Sequence, residues 1–154
     1  MELPFEQIAP RYDLLNDCMS LGMHRVWKRN LVTQISKGLG PESRVLDVAT
    51  GTGDVAALFS EYLSEDKIFA TDPSESMMAQ GKLRHKKLTQ WIVAEAESLP
   101  FSEGFFSVLT CTFGVRNFRN RSLAFKEFAR VLKPGGRLGR SEEHTSELQS
   151  RLHL

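Results

Sequence analysis

Residues 45–54, VLDVATGTGD, constrain the fold more than any other stretch of the chain. Four residues of strand character run into a turn with two nearby glycines, and an apolar-periodic stretch that suits a helix follows at once. A strand that turns through glycines directly into a helix is the opening unit of an open parallel α/β sheet. It brings backbone N–H groups and a helix N-terminus to the end of the strand, where a nucleotide can bind. The neighbouring residues have to say which nucleotide.

The rest of the chain continues the alternation. Strands are expected over 44–48, 67–71, 90–94 and 106–112, and helices over 54–63, 76–87 and 122–132, the last closed by Pro134-Gly135-Gly136. Upstream, Ile8, Tyr12, Leu15 and Met19 recur at helical spacing. A second helix is expected after Ser20-Leu21-Gly22, with Trp27, Leu31 and Ile35 on one face, ending at the GLGP of 38–41. Such alternation predicts a parallel sheet with helices on both faces. With 154 residues, the chain is long enough for one domain with a core and short for two. Residues 1–40 read as a helical lid or acceptor region and 41–139 as the cofactor-binding sheet.

In an open parallel sheet, ligands bind beyond the carboxyl ends of the strands. Four segments are expected there: the ATGTGD turn, Asp72-Pro73-Ser74, Glu95-Ala96-Glu97, and Thr112-Phe113-Gly114-Val115-Arg116-Asn117. A triphosphate loop needs a lysine and a hydroxyl after its glycines. Here Gly53 is followed by Asp54, which would repel phosphate. A dinucleotide is a stronger rival, because Gly51-Thr52-Gly53-Asp54-Val55-Ala56 fits G-x-G-x-x-A and Asp72 follows about twenty residues on, as ribose recognition requires. Two acids decide against it. Asp47 lies inside the first strand, where dinucleotide sites keep an apolar residue, and suits a ligand carrying an ammonium and a sulfonium. Asp54 at the helix start would oppose a pyrophosphate. The expected ligand is S-adenosyl-L-methionine, with Asp47, Gly51, Gly53 and Asp72 in its site.

Composition excludes little and agrees with this reading. Hydrophobic residues make up 41% and charged residues 25% of the chain, ordinary usage for a globular domain, and the net charge of +1 gives no general reason to expect nucleic acid. Cys18 and Cys111 form neither a disulfide framework nor a metal spacing. No apolar run approaches the ~18 residues of a membrane span, and the start, MELPFEQ, lacks signal-peptide character. The expected location is the cytoplasm. Leu21, Met23 and Trp27 beside Arg25, Lys28 and Arg29 read first as a buried helix with a basic outer face, and second as a peripheral contact with the inner membrane face. After Gly139 the character changes. RSEEHTSELQSRLHL, residues 140–154, matches the in-frame translation of a common short-read sequencing adapter. The expectation is that the biological segment stops at Gly139, that the fifth strand stops there too, and that the chain as it stands is without turnover.

Four motifs then resemble one family. YDLLNDCMSLGMHRVWK (12–28), LDVATGTGD (46–54), FGVRNF (113–118) and RVLKPGGRL (130–138) are similar to the ubiquinone/menaquinone biosynthesis C-methyltransferases, in family order and across residues 5–139. The resemblance implies a class I methyltransferase fold and methyl transfer from S-adenosyl-L-methionine to a ring carbon of a prenylated quinol, in the menaquinone or ubiquinone pathway. Carried over position by position, it implies cofactor contacts at Thr52, Asp72, Glu95, Ala96 and Thr112. Asp72 would hold the ribose hydroxyls, and Glu95-Ala96 would lie near the adenine edge. The family more often has Asn or Asp at position 95, and Ala49 stands where the general methyltransferase pattern has its first glycine. A methyltransferase for another small acceptor and a non-catalytic or dehydrogenase-type nucleotide-binding domain remain as alternatives.

A quinol carbon becomes nucleophilic when an adjacent hydroxyl loses its proton, so a donor aimed at the developing phenolate would accelerate transfer. Arg116 and Asn117, just past the fourth strand, are the catalytic candidates. His24 and Tyr12 are weaker candidates for the acceptor entrance, with helix packing or surface roles ahead of that. No residue stands out as the general base, although Arg116 and Asn117 have the chemistry to hold a water there.

Overall fold

The structure is a computed structural model that describes residues 23–112 and 114–141. The expected helix around Ile8, Tyr12, Leu15 and Met19 lies outside the described residues, as do Leu21 and Phe113.

Strand β1 (Val45–Val48) is buried along its whole length. It pairs in parallel with β2 (Ile68–Asp72) on one side and with β4 (Phe106–Thr112) on the other. Adding β3 (Gln90–Val93) and β5 (Leu132–Ser141), both again parallel, gives the order β3-β2-β1-β4-β5. The chain thus steps outward from β1 to β3, then crosses back to lay β4 on the other flank of β1. That reversal opens a crevice at the carboxyl ends of β1 and β4, the place where open α/β sheets bind ligands.

Both faces of the sheet are covered, which is why β1 is buried throughout and β4 nearly so. Side chains alternate between the faces. Leu46 and Val48 pack with Leu109, Cys111 and three residues of α4 (Arg121–Val131), namely Ala124, Phe128 and Val131. Val45 and Val108 point the other way. They meet Val32 and Ile35 of α1 (Met23–Ile35) and Val55 and Ala56 of α2 (Asp54–Leu58). Helix α3 (Glu75–Arg84) starts where Ser74 accepts a hydrogen bond from the Met77 N–H, and α4 starts where Asn120 accepts one from the Leu123 N–H. Caps of this kind contribute about 1 kcal/mol each.

Strand and helix positions follow the sequence expectation to within a few residues, with three differences. The expected helix over 54–63 is α only to Leu58 and then tightens into a 3-10 turn, Phe59–Glu61. There the Ser60 hydroxyl donates to the Ala57 carbonyl at 2.6 Å, a local bond that competes with the helical ladder. Secondly, Pro134-Gly135-Gly136 does not stand outside the sheet as a helix stop. Helix α4 ends at Val131, and these residues form a bulge in β5, between the Phe106–Leu132 and Val108–Arg137 pairs. Thirdly, β5 does not stop at Gly139. Arg140 pairs with Cys111 and Ser141 with Thr112. Strand pairing uses backbone N–H and C=O groups, which every non-proline residue supplies, so a stretch without a strand-like side-chain pattern can still continue a ladder.

Candidate functional site

The glycine turn is held open by its neighbours. Gly53, the N-cap of α2, has φ 84, and a Cβ there would lie 2.3 Å from Cη2 of Trp91. Only glycine fits both the left-handed backbone and the indole pressed against it. Trp91 is itself fixed by donating from Nε1 to the Leu88 carbonyl at 2.9 Å. Ala49, where glycine was the general expectation, adopts φ 54 nonetheless. Its methyl group occupies the room left by Gly114, where a Cβ would come within 2.4 Å of the Ala49 Cβ. A left-handed alanine costs about 1–2 kcal/mol relative to its relaxed form, so packing across the β1–β4 crevice sustains the strain.

Asp72 ties the first two strand ends together. One carboxylate oxygen accepts from the Gly51 N–H and the other from the Ser74 N–H, each at 2.8 Å. Burial pushes its carboxyl above the ordinary range; the two backbone donors work against that rise, and the charge of Glu95 adds to it. Each oxygen retains a lone pair for a further donor.

Asp47 lies one layer deeper. It is 1% exposed, and its oxygens accept from the hydroxyls of Thr110 and Thr50, both at 2.6 Å. Burial raises its carboxyl from 3.8 to about 6, more than the two hydroxyls and the charge of Lys28 can offset. Asp54 behaves oppositely. Burial disfavours its charge, but the 2.8 Å hydrogen bond with His85 and the charges of Lys28, His85 and Arg25 outweigh that and keep it below the ordinary range. Arg84 adds a contact at 3.4 Å. The pyrophosphate position of a dinucleotide site is therefore occupied by an ionised carboxylate.

These residues surround a cleft of about 130 Å³ at the carboxyl end of the sheet. The four expected segments meet there. Gly51, Thr52, Asp72, Glu95, Ala96, Thr112 and Asn117 line it together with Ala49, Thr50 and Ser74. Three of the named candidates do not. Asp47 and Gly53 sit beneath the lining and support it. Arg116 is exposed and outside it, although its neighbour Asn117 is on the wall. Both belong to a 3-10 turn, Val115–Asn117, in which successive side chains point about 120° apart, so adjacent residues cannot share one direction. Sequence reasoning missed Lys28, Met77 and Phe118, which also line the cleft. Lys28 and Phe118 close two of the quoted motifs, 12–28 and 113–118, and Met77 lies in none; what the motifs do not give is direction, because each side chain reaches the cleft from a helix or loop placed by tertiary packing. The basic outer face expected around Arg25, Lys28 and Arg29 is also divided. Arg29 pairs with Glu61 at 2.6 Å, and Lys28 turns to the cleft.

The family model for the ubiE/COQ5 methyltransferase family matches residues 2–150. The chain belongs to that family. Among similar proteins is the ubiquinone/menaquinone biosynthesis C-methyltransferase UbiE of Yersinia pestis bv. Antiqua (strain Antiqua), 44% identical over 140 residues, covering 87% of this chain and 55% of the relative. This ubiE/COQ5 family chain therefore spans about half the length of the curated relatives it matches. Among solved structures, the mmp1179 protein of Methanococcus maripaludis superposes with a TM-score of 0.74 at 16% identity, covering 92% of this chain and 66% of that one. Together with the parallel sheet and its strand order, this is the class I S-adenosylmethionine-dependent methyltransferase fold. The [4+2]-cyclase SpnF superposes as well, with a TM-score of 0.63 and 26% identity over 74% of this chain and 43% of that one. One architecture thus hosts different reactions, and the chemistry has to be argued from the site.

Proposed function

We propose that the protein binds S-adenosyl-L-methionine in this cleft and belongs to an enzyme that methylates a ring carbon of a prenylated quinol, the menaquinone- or ubiquinone-pathway acceptor. One observation carries the cofactor reading: Asp54, held ionised at the start of α2, lines the cleft beside the glycine turn. A pyrophosphate would meet a negative charge there, whereas a ligand with a sulfonium and an ammonium gains from it. The remaining donor set also fits. Asp72 has lone pairs free for ribose hydroxyls, Glu95 and Ala96 form the wall where an adenine edge would rest, and Thr52 and Thr112 flank the turn. The acceptor reading rests on membership of the ubiE/COQ5 family and on relatives named as ubiquinone/menaquinone biosynthesis C-methyltransferases.

When bound, S-adenosyl-L-methionine supplies an electrophilic methyl group. The chain's part is to align the acceptor carbon with it, exclude water, and stabilise the phenolate that makes that carbon nucleophilic. Asn117, on the cleft wall past β4, carries the amide donor that such an oxygen needs. Arg116, exposed on the adjoining rim, supplies positive charge where an acceptor would enter. A donor of this kind is worth about 2.7–4 kcal/mol in the transition state. Transfer also leaves a proton on the methylated carbon, which passes to water or to a base. No helix among the described residues is long and apolar enough to cross a membrane. We propose, separately, that the enzyme works in the cytoplasm and meets its lipid-tailed acceptor at the inner membrane face.

Quinone profiling of a strain lacking the gene tests this reading. Accumulation of a demethylated quinone, reversed by the intact gene, is the expected result. An unchanged quinone profile would move the assignment to another small acceptor.

A further inference from the structure

Helix α1 is anchored by Leu31, Val32 and Ile35, all buried. Leu31 and Ile35 lie against the bare Cα of Gly139 in β5. Three residues before Leu31 and seven before Ile35, on the same helix face, comes Lys28. At that level the sheet ends and the cleft begins, and Lys28 forms part of the cleft wall. The register of α1 on β5 therefore carries its charge into the site.

The charge inventory of the cleft is uneven. Among the described lining residues there are three carboxylates, Asp54, Asp72 and Glu95, and one cation, Lys28. The first two acids are already engaged: Asp54 by His85 and Arg84, Asp72 by the Gly51 and Ser74 amides. Lys28 forms an ion pair with none of the three, although its charge is felt at Asp54 and at Asp47 below. A methionine moiety carries three charged groups. Carboxylates suit its sulfonium and ammonium, but they repel its α-carboxylate, which would be left uncompensated in a partly desolvated cleft. Among the described lining residues, Lys28 is the cation that can meet it.

We propose that Lys28 binds the α-carboxylate of S-adenosyl-L-methionine, a role that rests on that molecule being the cofactor. The helical segment before β1 thereby contributes to cofactor recognition. An ammonium on a four-carbon stem is suited to this, because the apolar stem packs along the helix while the charged end reaches into the cleft.

The test is calorimetric titration of the chain with S-adenosyl-L-methionine, its decarboxylated analogue and NAD, in wild type, Lys28→Met and Lys28→Arg. The two adenosyl ligands differ in the carboxylate alone, and binding of the analogue reports an intact cleft. Lys28→Met should weaken S-adenosyl-L-methionine at least tenfold and leave the decarboxylated analogue within about threefold, or bind it more tightly, because a cation–cation repulsion is lost. Lys28→Arg should stay within about threefold of wild type for both. Equal weakening of both ligands by Lys28→Met, or no weakening of either, would overturn the assignment. If Lys28→Met binds neither ligand, Lys28→Gln decides by the same comparison, and failure of both variants to bind the analogue overturns the assignment too. A wild-type chain that binds NAD in preference to S-adenosyl-L-methionine overturns the cofactor reading itself, and the role of Lys28 with it.

Discussion

Replacing Asp47 with asparagine should stabilise the fold at neutral pH and remove a pH dependence from it. The carboxyl is buried between β1 and β4, and burial raises its proton affinity from an ordinary 3.8 to about 6 in the folded state. The folded protein therefore holds this proton more tightly than the unfolded chain does. The stability that protonation contributes is fully present below pH 3.8 and is lost as the pH rises through 6. At about 1.4 kcal/mol for each tenfold change in proton affinity, the loss by pH 7 is about 3 kcal/mol. That is a substantial part of the ~5–15 kcal/mol that holds a typical domain together.

Asparagine keeps the shape and removes the charge. Its carbonyl can accept from one threonine hydroxyl as Asp47 does from Thr50 and Thr110, but its amide must donate, so the other hydroxyl has to turn round. That exchange costs about 1 kcal/mol. The variant should therefore be about 2 kcal/mol more stable than wild type at pH 7 and about 0.5 kcal/mol less stable at pH 4, with the two stability curves crossing at about pH 4.5. Urea denaturation followed by tryptophan fluorescence between pH 4 and 7.5 measures the difference directly, and taking the difference cancels the titration of every other group. Parallel curves would refute the reasoning, as would a variant more than 2 kcal/mol less stable at pH 7. The same variant should bind S-adenosyl-L-methionine more weakly, since a negative charge beneath a cationic ligand has been removed. Such a loss would explain why so destabilising a residue sits there.

Asp72→Ala should weaken S-adenosyl-L-methionine by about 1.5–3 kcal/mol in calorimetry, through lost charge-assisted bonds to the ligand and a glycine turn released from its Gly51 anchor; unchanged affinity would remove Asp72 from the site. In the full-length enzyme, Asn117→Ala and Arg116→Ala should each lower turnover about 100-fold with cofactor affinity nearly intact, whereas parallel losses of binding and turnover would make the 3-10 turn a structural element. Gly53→Ala should cost about 2 kcal/mol or more in denaturant titration, from the positive φ and the collision with Trp91. Adding Trp91→Leu should recover the steric part, and a Gly53→Ala protein as stable as wild type would show that the turn can relax.

Local sequence determined the elements of this protein. Strands β1 to β4 are short apolar runs bounded by glycine, proline and charged residues, so each is legible within its own few residues. The glycine turn is equally local, and so is the acid that rules out a phosphate beside it. The tertiary structure decided what those elements do for one another. Strand order is not written in the alternation of strands and helices. Yet the crossing from β3 back to β4 is what sets Thr112 and Asn117 against the Gly51-Thr52 turn. Depth was hidden for the same reason. Asp47 looked like a ligand contact, but Thr110, sixty-three residues away, closes over it from β4. Direction was hidden too: Arg116 and Asn117 are neighbours in the chain, and the three-residue period of their turn sends Asn117 to the cleft and leaves Arg116 outside its lining. Lys28 illustrates the limit most plainly. Its helical periodicity is visible from its neighbours, but its entry into the cleft depends on Leu31 and Ile35 docking on Gly139 more than a hundred residues later. A contact between segments so far apart is set by how whole layers pack, and no window of sequence contains both of them.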